Sequence, residues 1–120
     1  MAIVALNKFL TIRHELTTVN TGIYTCPVGV AGIIISAQIA NVSTGTTTYL
    51  TTFSHYRPGN SVGVGGTFNL VKDAPIPVRD ALNPILGRLT LETDDEIHVS
   101  ANENGVLKLT MSVLETAKGW

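Results

Sequence analysis

The sequence predicts an all-β protein: a two-layer antiparallel β-sandwich of about eight strands with little helix. Three observations predict it. Several separate runs alternate apolar and polar side chains with a period of two, the signature of strands with one buried face. Clusters of turn-forming residues, such as Cys-Pro-Val-Gly at 26–29 and Asn-Glu-Asn-Gly at 102–105, separate these runs at short intervals. The longest apolar run is rich in β-branched side chains, which suit a pleated surface better than a helix. Jelly-roll and immunoglobulin-like topologies both fit, although the Cys…Trp…Cys signature of true immunoglobulin domains is absent.

The central run is residues 29–42. Ile33, Ile35, Ala37 and Ile39 share one parity and are expected inside, with Ser36, Gln38 and Ala40 outside; Gly32 and Ile34 break the alternation, so that end is expected to be covered on both faces. Before it, residues 8–17 alternate Leu10, Ile12, His14 and Leu16 with Thr11, Arg13 and Glu15, predicting a first strand with one polar face. A short strand is expected at 23–26, after a turn at 18–22. Ser43-Thr44-Gly45 is expected to close a hairpin onto a strand at 46–56, where Tyr49, Thr51, Phe53 and His55 share a face. Residues 57–67 (RPGNSVGVGGT) are expected to form an exposed loop. A short strand at 68–72 follows. Pro75, Pro77 and Pro84 then exclude pairing in a sheet interior, with one helical turn expected at 78–82. In the last third, strands at 86–92 and 96–101 flank an acidic turn at Thr93-Asp94-Asp95. A second hairpin link at 102–105 leads into a final strand, 107–113, and residues 116–120 read as a tail.

At 120 residues the chain is long enough for one domain with its own core. Residues 1–7 read as an N-terminal apolar arm, 8–117 as the β-sandwich domain, and 118–120 as a C-terminal tail. The arm is expected to reach another subunit, and Trp120 to anchor on a neighbour or fray. Only 14% of residues are charged and 44% are hydrophobic, with many threonines, so part of the surface is expected to be covered by neighbouring subunits. The net charge of -1 gives no basic footprint for nucleic acid or an anionic membrane, and neither is expected as a partner. Residues 1–10 are too short to span a bilayer and lack the order of a signal peptide, so a reducing cytoplasm is the expected site of folding.

No constellation carries chemistry. Cys26, the sole cysteine, reads as a small buried apolar group rather than a nucleophile. His14, His55 and His98 fall on three separate strands without a short-spaced ligand pair, so no metal site is expected. Asp94-Asp95-Glu96 lacks the remainder of a calcium loop and reads as a solvated turn. Glu92 and Glu96 flank that turn and are expected to face solvent. Gly63-Val64-Gly65-Gly66 is not followed by a helix that holds phosphate, and Asn41-Val42-Ser43 is a glycosylation triplet without a secretory signal. The sequence therefore predicts no enzyme, no catalytic, cofactor-binding or metal residues, and no cofactor.

In order along the chain, Gly22-Ile23-Tyr24-Thr25-Cys26-Pro27-Val28-Gly29, the run 33–41 ending Ile39-Ala40-Asn41, and Leu86-Gly87-Arg88-Leu89-Thr90-Leu91-Glu92 are followed by Asp95-Glu96-Ile97-His98-Val99-Ser100-Ala101 and LTMSVLE at 109–115. This pattern resembles small β-sandwich structural proteins of tailed bacteriophages, closest to those of T4-like cyanobacterial phages (cyanophages), over roughly residues 8–117. The chain departs from it in the long 57–67 loop and in Asp94, where Gly is commoner. The resemblance implies a virion protein assembled in the host cytoplasm. Its leading form is a capsid decoration or cement protein bridging major capsid protein subunits, as a homo-oligomer whose trimeric state is an analogy. A neck, tail, baseplate or fibre subunit is the alternative. A carbohydrate-binding adsorption module is a third, with Tyr49, Phe53 and Tyr56 as its only aromatic candidates.

Overall fold

A computed structural model describes residues 7–58, 65–85 and 87–117. The arm at 1–6, loop residues 59–64, Leu86 and the tail residues 118–120 lie outside the described residues, and with them the expected placement of Trp120.

Among the described residues there are nine strands and no helix: β1 (Asn7–Glu15), β2 (Thr21–Thr25), β3 (Val30–Asn41), β4 (Tyr49–Arg57), β5 (Gly66–Ile76), β6 (Ala81–Leu82), β7 (Leu89–Leu91), β8 (Glu96–Ala101) and β9 (Leu107–Ala117). They form two antiparallel sheets. One runs β1-β9-β3-β6, with β7 also on β3; the other runs β2-β8-β4-β5. The chain is thus a long ribbon folded back on itself. β4 pairs with β5, β3 with β6 and β7, β2 with β8, and β1 with β9. Rolling that ribbon up brings β9 against β3 and β8 against β4. This is a jelly roll, and the immunoglobulin-like alternative is excluded because its sheets have a different strand order.

The topology corrects both expected hairpins. β3 is paired with β9 on one edge and with β6 and β7 on the other, so β4 finds no place beside it and crosses to the second sheet. Asn41 holds that crossing. Its amide donates to the carbonyls of Thr47 (3.1 Å) and Ile76 (2.9 Å), and its Oδ1 accepts from the backbone N–H and hydroxyl of Ser43. With its side chain so occupied and only 2% of the residue exposed, Asn41 is closed to glycosylation in the folded chain. The 102–105 link likewise crosses between sheets. It is tied to the β1–β2 link by Ala101 N–H to Thr17 O (2.8 Å) and Gly105 N–H to Leu16 O (3.1 Å).

The expected helical turn at 78–82 is instead a tight turn closed by Asp80 N–H to Pro77 O, with Arg79 in the left-handed region (φ 62°), followed by β6. β5 runs further than the short strand expected, through Pro75 opposite Leu50. Proline is tolerated there because β5 is an edge strand. β9 continues past the expected end at 113 to Ala117, where it pairs with Val30.

The core lies between the sheets. Ile34, Ile39, Leu107, Leu109, Met111 and Val113 come from the first and Phe53, Ile97 and Val99 from the second, all at most 1% exposed. Each such side chain contributes roughly 1.5–3 kcal/mol. The parity expected in β3 holds for only part of it. A bulge between Ile34 and Ser36 shifts the register by one residue. Ala37 and Ile39 point inward as expected, but upstream of the bulge Ile34 is the core residue, while Ile33 and Ile35 turn to the outer face.

Candidate functional site

The acidic turn is solvated at Asp94, as the sequence implies, but not at Asp95. Asp95 is fully buried. Its Oδ1 accepts from Arg57 Nε (2.8 Å), and its Oδ2 from Arg57 Nη2 (2.7 Å), the Glu92 backbone N–H (2.8 Å) and His55 Nε2 (2.9 Å). A carboxylate accepts about four hydrogen bonds when fully satisfied, and this one accepts four. Burial pushes the carboxyl upward, but Arg57, the Glu92 N–H and His55 more than offset it and hold the pKa down to about 2. The turn places this group by setting Asp94 at a positive φ (68°), the position where the resembled pattern has Gly; aspartate tolerates that conformation better than most residues. The cluster ties β4 to the β7–β8 turn. Nothing in the sequence pattern joins residues 55 and 57 to residue 95, because that proximity is made by the pairing of β4 with β8.

The remaining candidates separate. His98 donates from Nε2 to Glu96 Oε1 (2.8 Å), accepts at Nδ1 from the Asn20 amide (3.2 Å), and stacks on Tyr56 at 5.5 Å between ring centroids. Glu96, expected to face solvent, is instead paired with His98 and its side chain is 33% exposed. His14 points inward from β1, and its buried Nε2 has no hydrogen-bond partner among the described residues. Among the described residues no group of three or more His, Cys, Asp or Glu is placed to hold a metal ion. Cys26 is buried, with Sγ 3.5 Å from Val30 O and 3.6 Å from Leu91 O. Close by, Gly32 leaves the space through which the Tyr24 ring passes: a Cβ there would lie 3.0 Å from Tyr24 Oη. The hydroxyl then donates to Glu115 Oε2 at 2.6 Å, joining the sheets, and burial together with Glu115 raises its pKa.

The aromatic platform for sugar does not form. Phe53 is fully buried, Tyr49 packs against the core, and Tyr56 stacks on His98. Exposed apolar side chains occur on β5, where Phe68 and Leu70 face solvent, and in a longer row on the outer face of the β1-β9-β3 sheet. Phe9 stands opposite Leu114, Leu114 opposite Ile33, and Ile33 opposite Thr90, giving one row across four strands. The bulge adds Ile35, and Arg88 stands at the rim of the same shallow depression. Phe9 is 72% exposed. Charges collect at the other end of the face, where Lys108 pairs with Glu15. The sequence signal for this patch was present in Ile33 and Ile35, but the period of two assigned them to the core. Such a face has no bond-making chemistry; it can bury area against another surface.

No family model matches the chain, and no curated protein matches its sequence. Solved structures do. A protein of Bacillus endospore appendages, described as a novel family of disulfide-linked pili, aligns at TM-score 0.52 and 11% identity over 98% of this chain and 96% of that one. A chain from the acidic stable capsid of a Helicobacter pylori bacteriophage aligns at 0.53 and 9% over 95% and 90%. A chain of the icosahedral IBDV viral particle aligns at 0.52 and 8%, covering 96% of this chain and 32% of that one. At these identities the likeness is one of fold.

Proposed function

We propose that this chain is a non-enzymatic structural subunit of a viral particle, and more narrowly a capsid decoration or cement protein that bridges major capsid protein subunits. The observation that carries the reading is the uncharged row Phe9–Leu114–Ile33–Thr90 on an otherwise polar sheet face. A solvated face gains nothing from such a row, whereas a subunit that packs against neighbours does. The fold likeness to capsid and pilus proteins and the sequence resemblance to phage structural proteins support the same reading. The cyanophage assignment rests on the sequence resemblance alone.

In this role the chain works by adhesion. A standard contact covers about 800 Å² on each partner, and many weak contacts repeated over one particle add up to a strong shell. Particles assembled without this protein should be complete but release their genome at a lower temperature. Equal release temperatures with and without it would remove the cement role.

The alignment with a pilus protein over nearly the full length of both chains favours a second reading, a subunit of a tail or fibre. Copy number separates the two: hundreds per particle belong to a shell, six to a few dozen to a tail.

A further inference from the structure

We infer that two copies of this chain pair along β1, antiparallel and centred on Thr11, so that their β1-β9-β3-β6 sheets become one. Among the described residues each sheet has two open edges, and three of the four are guarded. β6 is two residues long and β7, on the same edge, three. β2 is five residues with a bulge after Gly22. β5 carries two bulges and Pro75. Short strands, bulges and proline are devices that stop an edge from taking up another strand. β1 has none of these: it holds nine residues in unbroken register with β9, without Gly or Pro.

The hydrogen bonds of β1 have a phase. Leu16, next after the strand, donates to Leu107 O (3.0 Å) and accepts from the Gly105 N–H (3.1 Å). Backbone groups alternate sides along an antiparallel pair, so the even residues of β1 face β9. Asn7, Phe9, Thr11, Arg13 and Glu15 then turn their N–H and C=O groups to the open side. The same five residues are exposed.

The chemistry of this edge selects a second copy, and its direction. A parallel twofold pair would set Arg13 on Arg13 and Glu15 on Glu15, and like charges opposite each other destabilise a pair. The antiparallel pair centred on Thr11 covers all nine residues. It stands Asn7 opposite the second copy's Glu15, amide to carboxylate, and Phe9 opposite its Arg13, ring to guanidinium, with Thr11 opposite itself. On the inner side Leu10 meets Ile12, both already packed against the core, while Lys8, opposite His14, is exposed at the start of the strand. A shift of two residues either way shortens the overlap and sets Phe9 against Glu15 or Asn7 against Arg13. The five odd-numbered pairs exchange two backbone hydrogen bonds each, about ten in all.

Three measurements on the full chain test this. Sedimentation equilibrium should show a dimer. Thr11→Pro removes an N–H that points away from the fold, so it should weaken dimerisation at least tenfold with the urea midpoint unchanged. Under oxidation Thr11→Cys should link two chains at least tenfold faster than Arg13→Cys, since only position 11 meets its own copy; the native thiol, Cys26, is buried. That comparison leaves the backbone intact and decides the matter even where the proline variant loses stability. A chain monomeric at every concentration, dimerisation unchanged by Thr11→Pro in a folded chain, or equal cross-linking at positions 11 and 13 overturns the inference. The capsid role is independent of this contact and is decided separately, by the particle release temperature.

Discussion

Replacing Asp95 by Asn tests the buried cluster most sharply, because the substitution keeps the shape and removes the charge. The carboxylate is fully buried and accepts four hydrogen bonds, two of them from Arg57. An amide in its place turns an NH2 toward donors that expect an acceptor, and leaves the guanidinium without its counter-charge. Breaking a buried pair in this way typically costs 3–5 kcal/mol; the Arg57 side chain keeps 19% exposure and some hydration, so about 3 kcal/mol is expected near neutral pH. The pH dependence gives an independent check. The folded pKa of about 2 lies below the ordinary 3.8, so the stabilising contribution is present above pH 4 and is lost as pH falls through 2. That difference corresponds to about 2 kcal/mol. Urea unfolding of both proteins between pH 7 and 2 should therefore show the gap between them narrowing by about 2 kcal/mol on the acid side. A gap under about 1 kcal/mol at pH 7, or one that stays constant down to pH 2, would refute the assignment.

Two further substitutions probe the packing. Tyr24→Phe removes the hydroxyl that donates to Glu115 across the sheets, a hydrogen bond to a charged acceptor worth about 1.5–3 kcal/mol, and should lower the urea unfolding free energy by that order; no loss would mean the contact is idle. His14→Leu should act in the opposite direction, raising thermal stability by about 1 kcal/mol, because it replaces a buried ring nitrogen lacking a partner with a side chain like its neighbours Ile12 and Leu16. A lower melting temperature for that variant would show that the imidazole has a role the geometry does not reveal.

Most strands were legible because a period of two survives in any sheet with one buried face. β1 and β8 follow their expected alternation residue by residue. What was not legible is long-range. Turn residues mark where a strand ends but not which sheet the next strand joins, so the links at 43–45 and 102–105 passed for hairpins. The bulge in β3 inserts one residue and exchanges Ile34 for Ile33 and Ile35 at the core; Ile34 breaks the alternation in the sequence, but the pattern alone does not say which parity is buried there. Asp95 looked like a turn residue because its partners, His55 and Arg57, are some 40 positions away in sequence. For the proposed interaction face the low overall charge was visible in the sequence, while its location depended on the register of β1, β9 and β3.

The central claim is that this jelly roll works by covering and being covered by other subunits. A reconstruction of the intact particle tests it most directly. The account predicts the chain at regularly repeated positions on the shell, with Phe9, Leu114 and Ile33 buried in a protein contact. Finding the chain on the particle with that face open to solvent, or finding it on no particle at all, would contradict it.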